Sequence, residues 1–389
     1  MQSVDVVVIG AGLVGAAVAY ELRRAGQRVR VCEAEGEAGA GASRSNSGVL
    51  HTGFDSTPGH FETRMIRRQA ERWPGIFDAL RIPYRVPGAL VLARREEAPA
   101  LEELAQGAAV NGVAVELLGR EALRRAEPGV AAEAALRVPG EAITDPLEVV
   151  ARLLADVDLR LRCPVTRVEA HPDGVQVVTA QGTWQARFAV NCAGLFADEL
   201  TGEFRITPRR GEFLVFERGS AALVRQLLLP LPQAQTKGVL VFPTLHGHLC
   251  AGPTAEDQSD KRDWRPRQAA LERLRAQAVE VLPALEGVPV VGAWAGLRPV
   301  GHPHNYLCQF SERVPALLHL AGIRSTGLSA CLGLSAWALE QLRDRGLSPR
   351  PARAATVLPP TPAAPWWERL GALRGLPDPL SAASDAAGH

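Results

Sequence analysis

Gly10, Gly12 and Gly15 form a Gly-x-Gly-x-x-Gly array, and the chemistry it suits is the holding of a pyrophosphate. Gly10 permits a tight turn, Gly12 lets backbone N–H groups approach the phosphates, and Gly15 brings the following helix close to the preceding strand. Glu33 lies eighteen residues beyond Gly15, at the tip of the next strand, where a carboxylate accepts hydrogen bonds from ribose hydroxyls. The array alone is a weak signal. With an apolar strand before it, a helix after it and the terminal acid, it predicts a dinucleotide site rather than a structural turn. FAD and NAD share such a cradle, and three later segments favour FAD. Ala42-Ser43-Arg44-Ser45-Asn46-Ser47-Gly48 offers hydroxyls, an amide and pliable backbone to a long ligand. Val190-Asn191-Cys192-Ala193-Gly194 ends a strand in small residues, and Gly322 to Gly327 opens another helix N-terminus, suited to the electron-rich end of a reduced flavin. Each alone reads equally well as a plain loop. Jointly they fit a cofactor longer than a mononucleotide.

Other chemistries find no foothold. His302-Pro303-His304 has no third and fourth ligand at a recognised spacing, so ordinary loop histidines are expected and no metal. Neither a Gly-x-Ser-x-Gly elbow nor a Gly-x-x-x-x-Gly-Lys phosphate loop occurs, which removes hydrolase and kinase readings. Six cysteines lie far apart without a Cys-x-x-Cys pair, which indicates neither a zinc ribbon nor a disulfide framework and fits a reducing cytosol. Lys+Arg 43 against Asp+Glu 42 gives a net charge of +1, which disfavours a nucleic-acid partner bound by bulk charge. The 389 residues, 47% hydrophobic and 22% charged, suit a soluble protein of two or three domains. The chain enters Val4-Asp5-Val6-Val7-Val8-Ile9 at once, leaving no room for a signal peptide, and no run of ~18 apolar residues occurs. A cytoplasmic protein is expected.

The elements that must position these residues follow from periodicity. Val6 to Ile9 is a continuous apolar run, as in a parallel strand covered on both faces. Ala16, Ala17, Val18 and Leu22 continue a helix that Arg23-Arg24 and Gly26 end, and Val29, Val31 and Cys32 form the next strand. Helices are predicted over about residues 60–80, 96–126 in two pieces broken at Asn111-Gly112, Pro146 to Ala155, 266–282, and Leu328 to Leu342. Strands are predicted at Ala89 to Ala93, 159–162, 165–170, 174–179, Phe188 to Asn191, Gly211 to Phe216, Gly238 to Gly252, Val290 to Leu297 and Leu317 to Ala321. Beyond about residue 348 a Pro/Ala-rich tail begins. Within it Trp366, Trp367, Leu370 and Leu373 can form one amphipathic turn, packed on the body of the protein or, alternatively, touching a membrane surface.

Several of these segments together resemble one family. Gly10 to Gly15, Glu33, Asn46-Ser47-Gly48-Val49-Leu50-His51-Thr52-Gly53, Asn191-Cys192-Ala193-Gly194-Leu195-Phe196-Ala197-Asp198 and Gly296-Leu297-Arg298-Pro299 look like the D-amino-acid-oxidase-like FAD oxidoreductases. The block from Asn46 into Phe54-Asp55 most resembles glycerol-3-phosphate oxidases and dehydrogenases, with L-2-hydroxyglutarate oxidases close behind. The likeness extends over roughly residues 4–345 and includes Thr207-Pro208-Arg209-Arg210-Gly211-Glu212 and Gly252-Pro253-Thr254-Ala255-Glu256. The tail lies outside it.

The resemblance implies an α/β fold in which a Rossmann-like FAD domain of the glutathione-reductase type (1–80, 140–205 and 313–348) is interleaved with an antiparallel-sheet substrate domain (81–139 and 206–312), followed by the 349–389 tail. It implies hydride transfer from a secondary alcohol of a small anionic substrate to flavin. sn-Glycerol 3-phosphate leads, L-2-hydroxyglutarate or another 2-hydroxy acid follows, and amine oxidation of the glycine or sarcosine type stays open, as does a non-catalytic flavin-binding subunit. His51 is the candidate base, because an imidazole of ordinary pKa ~6.5 suits proton removal near neutrality and the resemblance places it beside the flavin. Arg298 is the candidate substrate clamp, since a guanidinium grips a carboxylate or phosphate through two hydrogen bonds. Arg324 is a weaker one. Ser325 and Thr326 either donate to flavin or substrate oxygens or cap the helix behind them. Cofactor contacts are assigned to Gly10, Gly12, Gly15, Glu33, Ser43, Arg44, Asn46, Ser47, Gly48, Val165, Ala193, Gly194, Gly322, Ser325, Thr326 and Gly327. The electron acceptor, whether oxygen, a quinone or a carrier, leaves no mark on the sequence.

Overall fold

A computed structural model describes residues 4–231, 238–359 and 365–370. Its first large sheet is built on the strand Val4–Ile9, which pairs in parallel with Val29–Cys32 on one side and Gly182–Asn191 on the other. Asp158–Arg160 extends the sheet beyond Val29–Cys32, and Leu317–Ala321 extends it beyond Gly182–Asn191, both in parallel. Val6, Val7 and Val8 are fully buried, as an apolar run covered on both faces requires. The helices Leu13–Arg24, Pro146–Leu153 and Gly327–Asp344 share one core with this sheet, in which Ala16, Leu22, Val149, Leu153, Leu328 and Leu332 meet. The antiparallel hairpin Val165–His171 and Gly174–Thr179 contributes Val168, Val175 and Val177 to a second cluster with Val7 and Ile9. The carboxyl ends of Val4–Ile9, Val29–Cys32, Gly182–Asn191 and Leu317–Ala321 open toward the same crevice, the usual binding edge of such a sheet.

The second sheet has nine strands and is antiparallel except where Leu227–Pro230 runs parallel to Ala89–Ala93. Its backbone is the long ladder between Arg205–Phe216 and Val290–His302. The helix Gln268–Val281 covers part of it with Leu271, Leu274 and Ala278. A small third sheet joins Val49–Leu50, Ala142–Thr144 and Tyr84–Arg85.

Two segments differ from the sequence reading. The stretch expected to be helical over 96–126 contains the strand Glu116–Leu118 between the helices Ala98–Val110 and Arg120–Ala126. Pairing with Ala134–Val138, with Glu116 opposite Arg137, overrides a local composition, Glu116-Leu117-Leu118, that favours helix. The Pro/Ala-rich composition beyond residue 348 suggests a loose tail, yet the chain there is tied down. Gln27 donates to the Ser348 carbonyl, and the buried Arg152 donates to the carbonyls of Leu358 and Pro359. Trp366 is 1% exposed and Trp367 stacks on Trp294 at 6.1 Å, so this turn packs on the body of the protein. Leu373 and the remainder of the tail fall outside the described residues.

Candidate active site

One cavity of about 1170 Å³ runs along the carboxyl edge of the first sheet and under the second. Its wall begins at Gly10 and Gly12, where the chain turns from strand into helix. Gly10 has φ +98°, and a Cβ there would stand 2.6 Å from the Cys192 carbonyl oxygen. A Cβ at Gly12 would stand 2.9 Å from Ser43 Oγ. Gly15 does not line the cavity; a Cβ there would lie 2.0 Å from the Gly10 carbonyl oxygen, so its smallness serves helix–strand contact. The helix N-terminus has no capping side chain of its own, and Ser43 Oγ accepts from the Leu13 N–H at 2.9 Å.

Glu33 lines one end of the cavity with Glu35 and Val165. Its carboxylate accepts from Ala11 N–H (2.7 Å) and Glu35 N–H (2.9 Å), which locks the strand tip against the glycine turn and leaves further lone pairs for ribose hydroxyls. Arg44, Asn46 and Ser47 also face the cavity. Gly48 does not: its N–H donates to Asn46 Oδ1, its carbonyl accepts from Thr144 N–H, and Trp366 closes over it. Its role is to turn the chain with φ +78° toward Val49–Leu50.

Ala193 and Gly194 border the cavity at the end of Gly182–Asn191, and the buried Asn191 shapes their turn. Its Oδ1 accepts from Ala193 N–H and its Nδ2 donates to the Ala197 carbonyl and to His319 Nδ1. That bond leaves the proton of His319 on Nε2, which donates to Glu203 at 3.2 Å. Burial disfavours the charged Glu203, yet hydrogen bonds from Ser311, the Glu312 N–H and His319 outweigh it and hold its pKa at about 2, below the ordinary 4.5. A depressed carboxylate pKa contributes stability above the unfolded value that is lost as pH falls through the folded one. Denaturant titrations at several pH values should therefore find wild type more stable than Glu203→Gln at neutral pH, with the gap closing between 4.5 and about 2; a gap that is constant with pH would contradict the assignment.

At the far end His51 follows Leu50, whose register opposite Ala142 sets His51 across from Glu141. His51 Nδ1 lies 2.8 Å from Glu141 Oε2, and the backbone N–H of His51 donates to Ser329 Oγ at 2.8 Å. Neither Glu141 nor Ser329 carries a sequence signal, because each arrives from a distant strand or helix. The turn Gly322 to Gly327 lines the same end. Thr326 does not cap its helix: its hydroxyl donates to Glu62 Oε1 at 2.7 Å and meets the Tyr306 hydroxyl at 2.6 Å. Arg324 pairs with the same Glu62 at 3.2 Å.

Arg298 enters from the second sheet. Its Nε and Nη2 donate to the carbonyls of Arg209, Arg210 and Thr254, and among the described residues no carboxylate forms an ion pair with it. Burial, then the positive charges of Arg209 and Arg324, pull its pKa down to about 10, which still leaves it charged at neutral pH. Arg209, which the sequence reading left out of the site, also borders the cavity, though Asp257 grips it at 2.6 and 2.9 Å. Arg298 thus carries its charge beside two further guanidinium groups, Arg209 held by Asp257 and Arg324 held by Glu62. His302 and His304 bond instead to Thr207 and the Asn305 carbonyl, and no group of three His, Cys, Asp or Glu that could hold a metal occurs among the described residues.

A glycine turn at a helix N-terminus, an acid at the tip of the next strand and a long cavity ending at an imidazole and arginines define a flavin-dependent oxidoreductase, and this donor set fits an extended FAD. The family model described as FAD dependent oxidoreductase matches residues 5–341, and the chain belongs to that family. It is 28% identical over 354 residues to a glycerol 3-phosphate dehydrogenase of Caloramator mitchellensis, covering 87% of this chain and 74% of that one. It is 27% identical over 289 residues to an L-2-hydroxyglutarate dehydrogenase of Indibacter alkaliphilus, covering 69% and 72%. The fold matches that of an FAD-bound L-alpha-glycerophosphate oxidase from Mycoplasma pneumoniae with a TM-score of 0.83 and 26% identity, over 88% of this chain and 95% of that one. Among the described residues no helix is long and apolar enough to cross a membrane.

Proposed function

We propose that this enzyme oxidises the secondary alcohol of a small phosphate ester, sn-glycerol 3-phosphate, to dihydroxyacetone phosphate. The observation that carries the reading is Arg298, charged, without a carboxylate of its own among the described residues, and close enough to Arg209 and Arg324 to feel their charge. A phosphate dianion calls for more than one cationic group, and bidentate guanidinium contacts meet that need. His51 shares the cavity and takes the hydroxyl proton as the carbinol carbon is oxidised. FAD, when bound, would supply the hydride acceptor for that carbon. The rest is positioning: the arginines fix the anionic end and so keep the alcohol within reach of the His51 nitrogen.

The relatives that act on L-2-hydroxyglutarate support a second reading, in which two separated carboxylates replace the phosphate. Anaerobic mixing of the FAD-loaded protein with sn-glycerol 3-phosphate, L-2-hydroxyglutarate, glycine and sarcosine separates the cases. Rapid bleaching of the flavin by glycerol 3-phosphate alone is expected. Bleaching by a different compound reassigns the substrate, and bleaching by none favours an electron-carrying or structural subunit. Readmitting air to the reduced protein then tells oxygen from a quinone or carrier as acceptor.

A further inference from the structure

Glu141 is 0% exposed, and a carboxylate in such a place is costly unless its oxygens are satisfied. Oε1 accepts from Thr52 N–H at 2.7 Å and from Thr52 Oγ1 at 2.8 Å. Oε2 faces His51 Nδ1 at 2.8 Å. Among the described residues no arginine or lysine forms an ion pair with Glu141, so its one ionisable partner is the imidazole on the cavity wall. The geometry points to Glu141 as the positioning residue of His51: it holds the proton on Nδ1, leaves Nε2 as the basic nitrogen, and stabilises the imidazolium that forms when the substrate proton arrives. This rests on the reading of His51 as the base.

The arrangement is over-determined in a way that a plain structural link between two strands would not need. Thr52 presents two donors to Oε1, so that oxygen can only accept. Ser329 Oγ, accepting from the backbone N–H of His51 at 2.8 Å, fixes its main chain. The imidazole is thereby confined in both position and tautomer, which is what a base must have before substrate arrives. Glu141→Gln keeps the shape and inverts the logic. The two Thr52 donors retain the amide oxygen, the NH₂ group turns to His51, and Nδ1 must accept, which moves the proton to Nε2 and occupies the working nitrogen.

The test has two independent parts. In ¹⁵N-histidine-labelled wild type, with the His51 signal identified by its loss in His51→Gln, the neutral ring should show a protonated Nδ1 and an unprotonated Nε2. A protonated Nε2 there overturns the proposal, whether or not any Glu141 variant folds. Second, Glu141→Gln should keep the FAD spectrum and substrate affinity while slowing anaerobic reduction by sn-glycerol 3-phosphate roughly 10²–10⁴-fold. In the double variant Glu141→Gln/His51→Gln the first change should add almost nothing to the second, because it acts through the ring. Full additivity, as from a general loosening of the fold, overturns the proposal. An undiminished rate in His51→Gln alone overturns the reading of the base instead, and the tautomer measurement keeps the two failures apart.

Discussion

His51→Gln should lose roughly 10²–10⁴ of the rate at which substrate reduces the bound flavin, with little change in fold or in FAD content. Glutamine is near in size, and its NH₂ group can still donate to Glu141 Oε2, which His51 Nδ1 faces at 2.8 Å in wild type. The backbone bond to Ser329 does not depend on the side chain. What disappears is a nitrogen able to take a proton and hold it, which an amide cannot do near neutral pH. Stopped-flow absorbance under anaerobic conditions gives the limiting rate directly. A variant as fast as wild type would mean that the alcohol proton leaves by another route.

Arg298→Ala should lower kcat/KM for the phosphate ester by roughly 30- to 3000-fold, the range expected when one partner of a desolvated charge contact is removed (about 2–5 kcal/mol). The alanine variant also leaves the carbonyls of Arg209, Arg210 and Thr254 without the donors they have in wild type, so some loss of stability accompanies it. Arg298→Lys separates the effects: the charge stays, the planar fork does not, and an intermediate loss is expected. Unphosphorylated glycerol is the decisive control. It should be a poor substrate for wild type and about equally poor for both variants, because neither form has an anion to hold. A loss on glycerol as large as on the phosphate ester would place Arg298 elsewhere in the mechanism.

What could be read from the sequence was what is local in it. The glycine array, Glu33 at the end of the next strand and the turn after Asn191 are each read within one short stretch of chain, and the structure brings Gly10, Gly12, Glu33, Ala193 and Gly194 to one cavity edge. The same holds for the continuous Val6 to Ile9 run, whose burial on both faces follows from composition alone. Glu141 was invisible because its meaning depends on Val49–Leu50 pairing with Ala142–Thr144, a register that no spacing announces. Arg209 was hidden among many arginines, and the hydroxyl of Thr326 was committed by Glu62, a residue on a separate helix. The strand Glu116–Leu118 exists because Ala134–Val138 offers it an edge, so it too is a property of the assembled sheet.

The way the two large sheets share the chain limits how such an enzyme can diverge. Strands flanking the cofactor crevice come from residue 4 at one extreme and residue 321 at the other, with the roof strands threaded between them. No single crossover could graft a new roof onto an old floor. Descendants with altered selectivity would have to arise by point changes on Arg205–Phe216 and Val290–His302, which makes those two facing strands the natural place to start when re-engineering what the enzyme accepts.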